Sequence, residues 1–351
     1  MFTFRTIVQK VHQNRSLNNY VYTEILRHSP SVDIILFPQR EIWYNGRMRN
    51  IIQGPQVTWI DIKDPEEADI TYLQETYALH PLVVDELLPR AWRTKVEVFP
   101  DYLFFVYYYP VYSKVHRHTR PAELDIIIGK NLLVTNHYNS IVPLKALFDQ
   151  CNLYEDKKKT FMGQTAGHLL FHILGQLQEG SFVKLDRINK KLHHIEDQIF
   201  KGNERQMLQE ISYLKADIIN FWRIVNPQGE IFESLHSQSH SFFGTELKPY
   251  FTRLLGEWDQ ERNDLETYKE TIEALEQTNN GLLADKTNEI VKTLTLFSVV
   301  FLPPVLVAAL FSMNASDIPL TEVKGGFWIL VGLMIFGVLG MLWYFRHKRW
   351  L

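Results

Sequence analysis

Cysteine is all but missing from this chain: Cys151 is the only one among 351 residues. A single thiol excludes an intramolecular disulfide framework and a cysteine-rich zinc site, and it fits a reducing compartment for the body of the protein. A basic excess is also missing. Lys+Arg number 37 against Asp+Glu 40, a formal net charge of -3. The electrostatic footprint of a nucleic-acid-binding protein is therefore not there. No glycine-rich phosphate loop occurs. Gly325-Gly326, Gly332, Gly337 and Gly340 lie in or beside an apolar run, where small residues serve helix packing. No G-x-S-x-G nucleophile elbow occurs either. His193 and His194 are adjacent, cannot point the same way on a helix, and read as solvated. His236 and His240 are four apart, but two histidines alone read as a polar loop rather than a zinc site. Nothing in the chain reads as an enzyme. The opening segment, MFTFRTIVQKVHQ, has no apolar core or cleavage site and is expected not to be a signal peptide.

Charge itself is absent from two windows near the C-terminus. No Asp, Glu, Lys or Arg occurs in 293–316, which includes LTLFSVVFLPPVLVAALFSM, or in 325–345, GGFWILVGLMIFGVLGMLWYF. Each is about the 20 residues needed to cross a hydrocarbon core, and buried core helices seldom run so long without a charge. Two membrane spans are expected. Arg346, His347, Lys348 and Arg349 follow the second, while the connecting loop carries Lys324 against Asp317 and Glu322. The positive-inside rule then places the basic tail in the cytoplasm, and two spans return the N-terminus to the same side. Trp328 at one end, and Trp343 and Tyr344 at the other, fit interfacial aromatic belts.

The remainder reads as a mixed domain followed by helices. VTWIDI (57–62) predicts a strand. Asp64-Pro65-Glu66-Glu67 then predicts a helix start with Asp64 at the N-cap, which accounts for the acids without a metal. A second helix is expected over 79–88, stopped by Pro89. Strands are expected over 96–109 and within 123–137, the latter pair joined at Lys130-Asn131. Helical periodicity covers 164–200 and 204–224, with Gly202-Asn203 as a turn. Asn226-Pro227-Gln228-Gly229 is expected to end the second helix, and 234–245 to be looser.

From Pro249 to Ser312 no proline interrupts the pattern until Pro303. Leu254, Trp258, Leu265, Tyr268, Ile272, Leu275 and Leu282 recur in steps of three, four and seven, a coiled-coil-like seam. Such a helix needs copies or the preceding helices to pack against, and it runs without a breaker into the first span. The expected layout is an α/β domain over 1–158, a helical hairpin over 159–248 and a stalk helix over 249–292. The first span follows over 293–313, a loop over 314–325, the second span over 326–345 and a basic tail over 346–351.

Along the first span Asn288, Val291, Leu294, Ser298, Leu302, Val305, Ala309 and Asn314 step mostly by three or four. The stripe is polar at both ends and mostly apolar between. An ordinary lipid- or protein-facing stripe is one reading; a pore with a hydrophobic gate that stops ions by dewetting is the other. Pro303 and Pro304 likewise fit either a packing kink or a bent pore-lining helix. Two spans cannot enclose a pore, so the pore reading requires a homo-oligomer.

Ser312-Met313-Asn314 carries a resemblance to the CorA-type two-span divalent cation transporters, whose mark is G-M-N at the outer end of the first span. Matching stretches include Lys286-Thr287-Asn288-Glu289, Lys292-Thr293-Leu294-Thr295, Pro303, His80-Pro81-Leu82-Val83, Lys95-Val96-Glu97 and the tail Lys348-Arg349-Trp350-Leu351. The resemblance implies an α/β/α sandwich and a stalk continuing into a two-helix membrane region, assembled as a funnel-shaped homopentamer in the cytoplasmic (inner) membrane. It implies Mg2+ as the transported ion, with Met313 and Asn314 at the outer mouth, Asn288 as an inner polar ring and Leu294 and Leu302 as constrictions. Mg2+ dehydrates reluctantly, which suits a mouth of amide and carbonyl oxygens. Zinc, cobalt or nickel transport, and a non-conducting sensor or scaffold, are the alternatives. Serine stands where the family has glycine, which would matter if the position needed a positive φ. The resemblance also implies a regulatory Mg2+ site between subunits, at Asp85 and Glu86. The expected stalk partner is occupied by Arg253, and Glu257 and Asp259 are the nearest acids.

Overall fold

The computed structural model describes residues 49–88, 93–238, 242–313, 324–348 and 350. Residues 1–48 of the expected α/β domain, the stop at Pro89, and the candidate residues His240 and Asn314 lie outside the described residues.

A six-stranded sheet forms the centre of the N-terminal part, in the order β1-β2-β6-β5-β4-β3. The strands are β1 (Arg49–Gln53), β2 (Thr58–Lys63), β3 (Lys95–Val98), β4 (Tyr102–Ser113), β5 (His118–Gly129) and β6 (Leu132–His137). β2 and β6 are parallel, with Trp59 opposite Leu133, and every other pair is antiparallel. The aromatic run of β4 is buried on both faces because alternate side chains feed two cores. Leu103, Phe105, Tyr107 and Tyr109 enter the larger core, and Phe104 and Val106 the smaller.

Two helices cover the smaller core: α1 (Glu67–Tyr77) and α2 (Pro81–Leu87), through Ile70, Leu73, Val83 and Leu87. The helix start differs from expectation. Asp64 is not the N-cap; its amide donates to the His137 carbonyl at 2.9 Å, so the chain is still held to the sheet there. It turns with φ 53 at Asp64, and Glu66 becomes the N-cap. The Asp69 carboxylate accepts from the Glu66 amide at 3.2 Å. α2 is capped by His80, whose Nδ1 accepts from the Leu82 amide at 3.2 Å.

The larger core gathers α3 (Val142–Leu153), α4 (Glu155–Met162), α5 (Ala166–Phe200), α6 (Glu204–Val225), α7 (Gly229–Gln238) and the first half of α8 (Lys248–Phe311). The sheet with α1 and α2 on one side and these helices on the other is the expected α/β/α sandwich.

Three further differences have local causes. The strand expected over 96–109 is two strands, because the chain reverses at Pro100-Asp101 and the Phe99 amide bonds the Tyr102 carbonyl at 2.9 Å. β1 was not anticipated; five residues, RNIIQ, carry too little alternation to mark a strand. Asn226-Pro227-Gln228 forms one 3-10 turn, after which α7 continues helically to Gln238, so the first five residues of the expected loose stretch, 234–238, are helical. Gly229 permits this, since a Cβ there would lie 2.6 Å from the Trp258 ring.

α8 is a single helix of 64 residues that passes through Pro303 and Pro304. Its buried residues fill the gaps of seven in the expected seam with polar side chains. Glu261 sits between Trp258 and Leu265, and Asn279 between Leu275 and Leu282. The seam is thus unbroken in steps of three and four. α9 (Gly326–His347) packs along α8.

Candidate functional site

The candidate site is built on the second half of α8. A soluble core helix would bury its apolar residues, but here they remain exposed: Leu294 is 66% exposed, Leu302 69% and, on α9, Phe336 79%. Both helices are long and apolar enough to cross a membrane. Among the described span residues of α8, Leu296 and Val300 are buried, and Pro303, Pro304, Val307 and Phe311 are half-buried. At about 100° per residue these six lie within an arc of about 100°. Val291, Leu294, Ser298, Leu302, Val305 and Ala309 are all exposed. They occupy an arc of about 80° centred about 170° from the first. The stripe therefore faces away from the buried side of the helix. Asn288 is exposed and lies about 40° beyond the edge of the stripe.

Polar groups in and beside the stripe are satisfied locally. Ser298 Oγ donates to the Leu294 carbonyl at 3.0 Å, and Thr295 Oγ1 to the Val291 carbonyl at 2.8 Å. This back-bonding keeps hydroxyl protons on the helix. Pro303 and Pro304 have no amide proton, so the carbonyls of Val299 and Val300 lose their intrahelical donors. At the outer end Ser312 has φ -84 and ψ -11, an ordinary right-handed conformation. Its hydroxyl donates to the Ala309 carbonyl at 2.9 Å. Serine in place of glycine therefore requires no positive φ at this position. Met313 is 60% exposed.

Nearer the sheet, the candidate regulatory acids are already engaged with cations. Glu86 pairs with Lys95, which also contacts Glu97 at 3.0 Å. Glu257 accepts from Arg253 at 2.7 Å, and Asp259 from Arg262 at 2.8 Å. α2, carrying Asp85 and Glu86, belongs to the smaller core, and the stalk at Leu254 and Trp258 to the larger. The sheet separates the two sets within one chain. Among the described residues no three of His, Cys, Asp and Glu stand as a group that could hold a metal ion. Arg253 and Glu257 line a cleft of about 740 Å³ between α5 and α8, together with His172 and Glu179. His236 lies on α7. His193 is exposed beside Glu196 at 3.5 Å, as its solvated reading requires.

The stripe is traced from spacing, and its exposure is shared by Phe297, Val299, Phe301, Leu306 and Leu310. The side opposite was not legible from spacing, because which apolar residues meet α9 depends on tertiary packing. Glu261 and Asn279 were missed for a different reason: polar residues do not register in a hydrophobic periodicity.

A family model described as CorA-like Mg2+ transporter protein matches residues 54–348. A cobalt/magnesium transport protein CorA from Thermotoga maritima is 25% identical over 84% of this chain and 83% of its own. A zinc transport protein ZntB from Yersinia enterocolitica is 20% identical over 86% of this chain and 90% of its own. Among solved structures, the complete CorA magnesium transporter from Methanocaldococcus jannaschii superposes with a TM-score of 0.73 at 23% identity, covering 84% of this chain and 92% of that one.

Proposed function

The chain belongs to the CorA-like Mg2+ transporter family, and from that premise we propose that it is a divalent cation channel, with Mg2+ as its ion. Five copies would place their α8 stripes around one axis in the inner membrane, with both termini cytoplasmic. The observation that carries this reading is the opposition of the two faces of α8. One side of the span is covered within the chain, and the stripe from Val291 to Ala309 lies on the uncovered side, where this reading sets further copies.

The residues divide the work along that axis. Met313 and Asn314 form the outer mouth, where amide and carbonyl oxygens receive an ion that keeps its waters. Val291, Leu294, Ser298, Leu302, Val305 and Ala309 line the passage. Leu294 and Leu302 are the constrictions, and an apolar ring there stops ions by dewetting. Asn288 forms the inner polar ring. The carbonyls freed by Pro303 and Pro304 let the helix bend close to the upper constriction. Inward movement is favoured by about 4.6 kcal/mol per 100 mV for a doubly charged ion. Of the regulatory set Asp85, Glu86, Glu257 and Asp259, the last three would have to exchange their present cation partners for Mg2+ held between copies.

The ZntB relative supports a second reading, zinc transport through the same path. One assay separates them: ion entry into liposomes containing the purified protein and an ion-sensitive dye, under an inside-negative potential. Mg2+ entry blocked by cobalt hexammine, a mimic of a hydrated ion, is expected. Entry of zinc alone under a pH gradient would move the assignment to the zinc reading. No entry of either ion would refute transport and leave a membrane-anchored sensor.

A further inference from the structure

The stalk seats on the rest of the protein through the seam of α8, and one position of that seam is an acid. Glu261 is 1% exposed, and among the described residues no cation pairs with its carboxylate; the Ser181 hydroxyl is the donor nearest to it. Three elements enclose it. α5 presents Ser181 and Lys184, with Arg187 beside the lysine. β4 presents Tyr107 and Tyr109, and Asp264 is the neighbouring charge on α8 itself.

Lys184 does not close on the carboxylate. Its ammonium donates to the Pro110 carbonyl and stands 3.8 Å from the centre of the Tyr109 ring. An acid and a base thus share one buried pocket, with the base turned toward the sheet. Burial disfavours the charged form of each. It pushes Glu261 up to about 8, against the Ser181 hydroxyl and the pull of Lys184. Burial also draws Lys184 down to about 8, against the pull of Glu261 and with the help of Arg187.

We propose that Glu261 is a proton-binding switch of the stalk: its neutral form leaves Lys184 on Pro110 and Tyr109, and its ionised form draws Lys184 across to α8. The lysine would then trade a contact between α5 and the sheet for one between α5 and the stalk. Loss of the proton loosens α5 from β4 at Pro110 and changes how the stalk is seated. Arg262, the next residue along α8, is engaged with Asp259 at 2.8 Å. The switch does not rest on the transport reading, because its groups lie in the stalk, α5 and the sheet and its readout is local.

The test is hydrogen exchange on the full chain in detergent, from about pH 6.5 to about pH 9, corrected for intrinsic exchange. In the parent, protection around Pro110 in β4 and Lys184 in α5 is expected to fall about 10-fold or more across that range. Glu261→Gln and Lys184→Met should each flatten the profile. In infrared difference spectra, parent minus Glu261→Gln, a protonated carboxyl band should be present at the low end and vanish at the high end. A flat profile in the parent, or no such band at the low end, overturns the proposal. Should Glu261→Gln fail to fold, the parent exchange profile set against Lys184→Met still decides.

Discussion

Replacing Glu261 by Gln removes a titration from the interior while keeping the side chain's size, and the resulting change in stability with pH can be worked out. The carboxyl is raised from its ordinary 4.5 to about 8 in the folded protein. Below 4.5 the folded and unfolded chains both carry the proton, and the group has no influence on the pH slope. Between these values the folded chain keeps the proton and the unfolded chain does not. Stability therefore falls as pH rises, by about 1.4 kcal/mol per unit, or about 5 kcal/mol over the whole interval. On the switch proposed above, Lys184 is drawn onto the ionised carboxylate and keeps its proton, so it adds no opposing slope near pH 8. Thermal unfolding of the full chain followed by circular dichroism reads this out. From about pH 6 to pH 8 the parent should lose about 2 kcal/mol relative to Glu261→Gln, lowering its midpoint by about 4 °C or more against the variant. Midpoints that run parallel for parent and variant would refute the reasoning, because Glu261 would then titrate alike in both states.

Four other substitutions bear on the path and the fold. Leu302→Ser should hydrate the upper constriction and give ion leak without a trigger; an unchanged basal flux would move the gate elsewhere. Asn288→Leu should reduce conductance by drying the inner mouth, whereas unchanged conductance would place Asn288 off the pore. Asn314→Ala should abolish high-affinity uptake, and normal uptake would mean that the ion is selected at another position. Gly229→Ala drives a Cβ to 2.6 Å from the Trp258 ring, which is itself fixed by a 2.9 Å hydrogen bond from Nε1 to the Val225 carbonyl. A loss of about 1–3 kcal/mol is expected, seen as a lower melting temperature, and an unaltered melt would show that the α7–α8 packing can yield.

Elements marked by a periodicity were readable from the residues. β6, α5 and α6 lie within two residues of their expected limits where turn residues at Lys130-Asn131 and Gly202-Asn203 separate strong patterns, whereas β5 starts at His118, five residues before the expected 123. α8 was readable over its whole length for the same reason. What escaped was decided by contacts remote in sequence. Asp64 fails as a cap because His137 holds its amide. Gly229 looks like a helix terminator until Trp258 is seen to need the space. In the candidate site, the stripe from Val291 to Ala309 followed from spacing. The engagement of Glu257 by Arg253, and of Glu86 by Lys95, is a matter of side-chain geometry that no spacing reveals. Glu261 is the sharpest case, because among the acids of α8 only its place on the seam distinguishes it, and the seam was traced through apolar residues alone.

The unbroken length of α8 also has a mechanical meaning. Its 64 residues make a rod of about 96 Å. If that rod pivots at Pro303, the arm toward Lys248 is about 83 Å long and the arm toward Phe311 about 12 Å. Such a lever divides displacement by about seven. A swing of about 7 Å at the broad end of the stalk becomes an adjustment of about 1 Å beyond the pivot. Under the proposed channel reading, coarse rearrangements at the broad end would thereby be geared down to the fine scale on which a hydrated ion is admitted or refused, and the force at the short end would be multiplied by the same ratio.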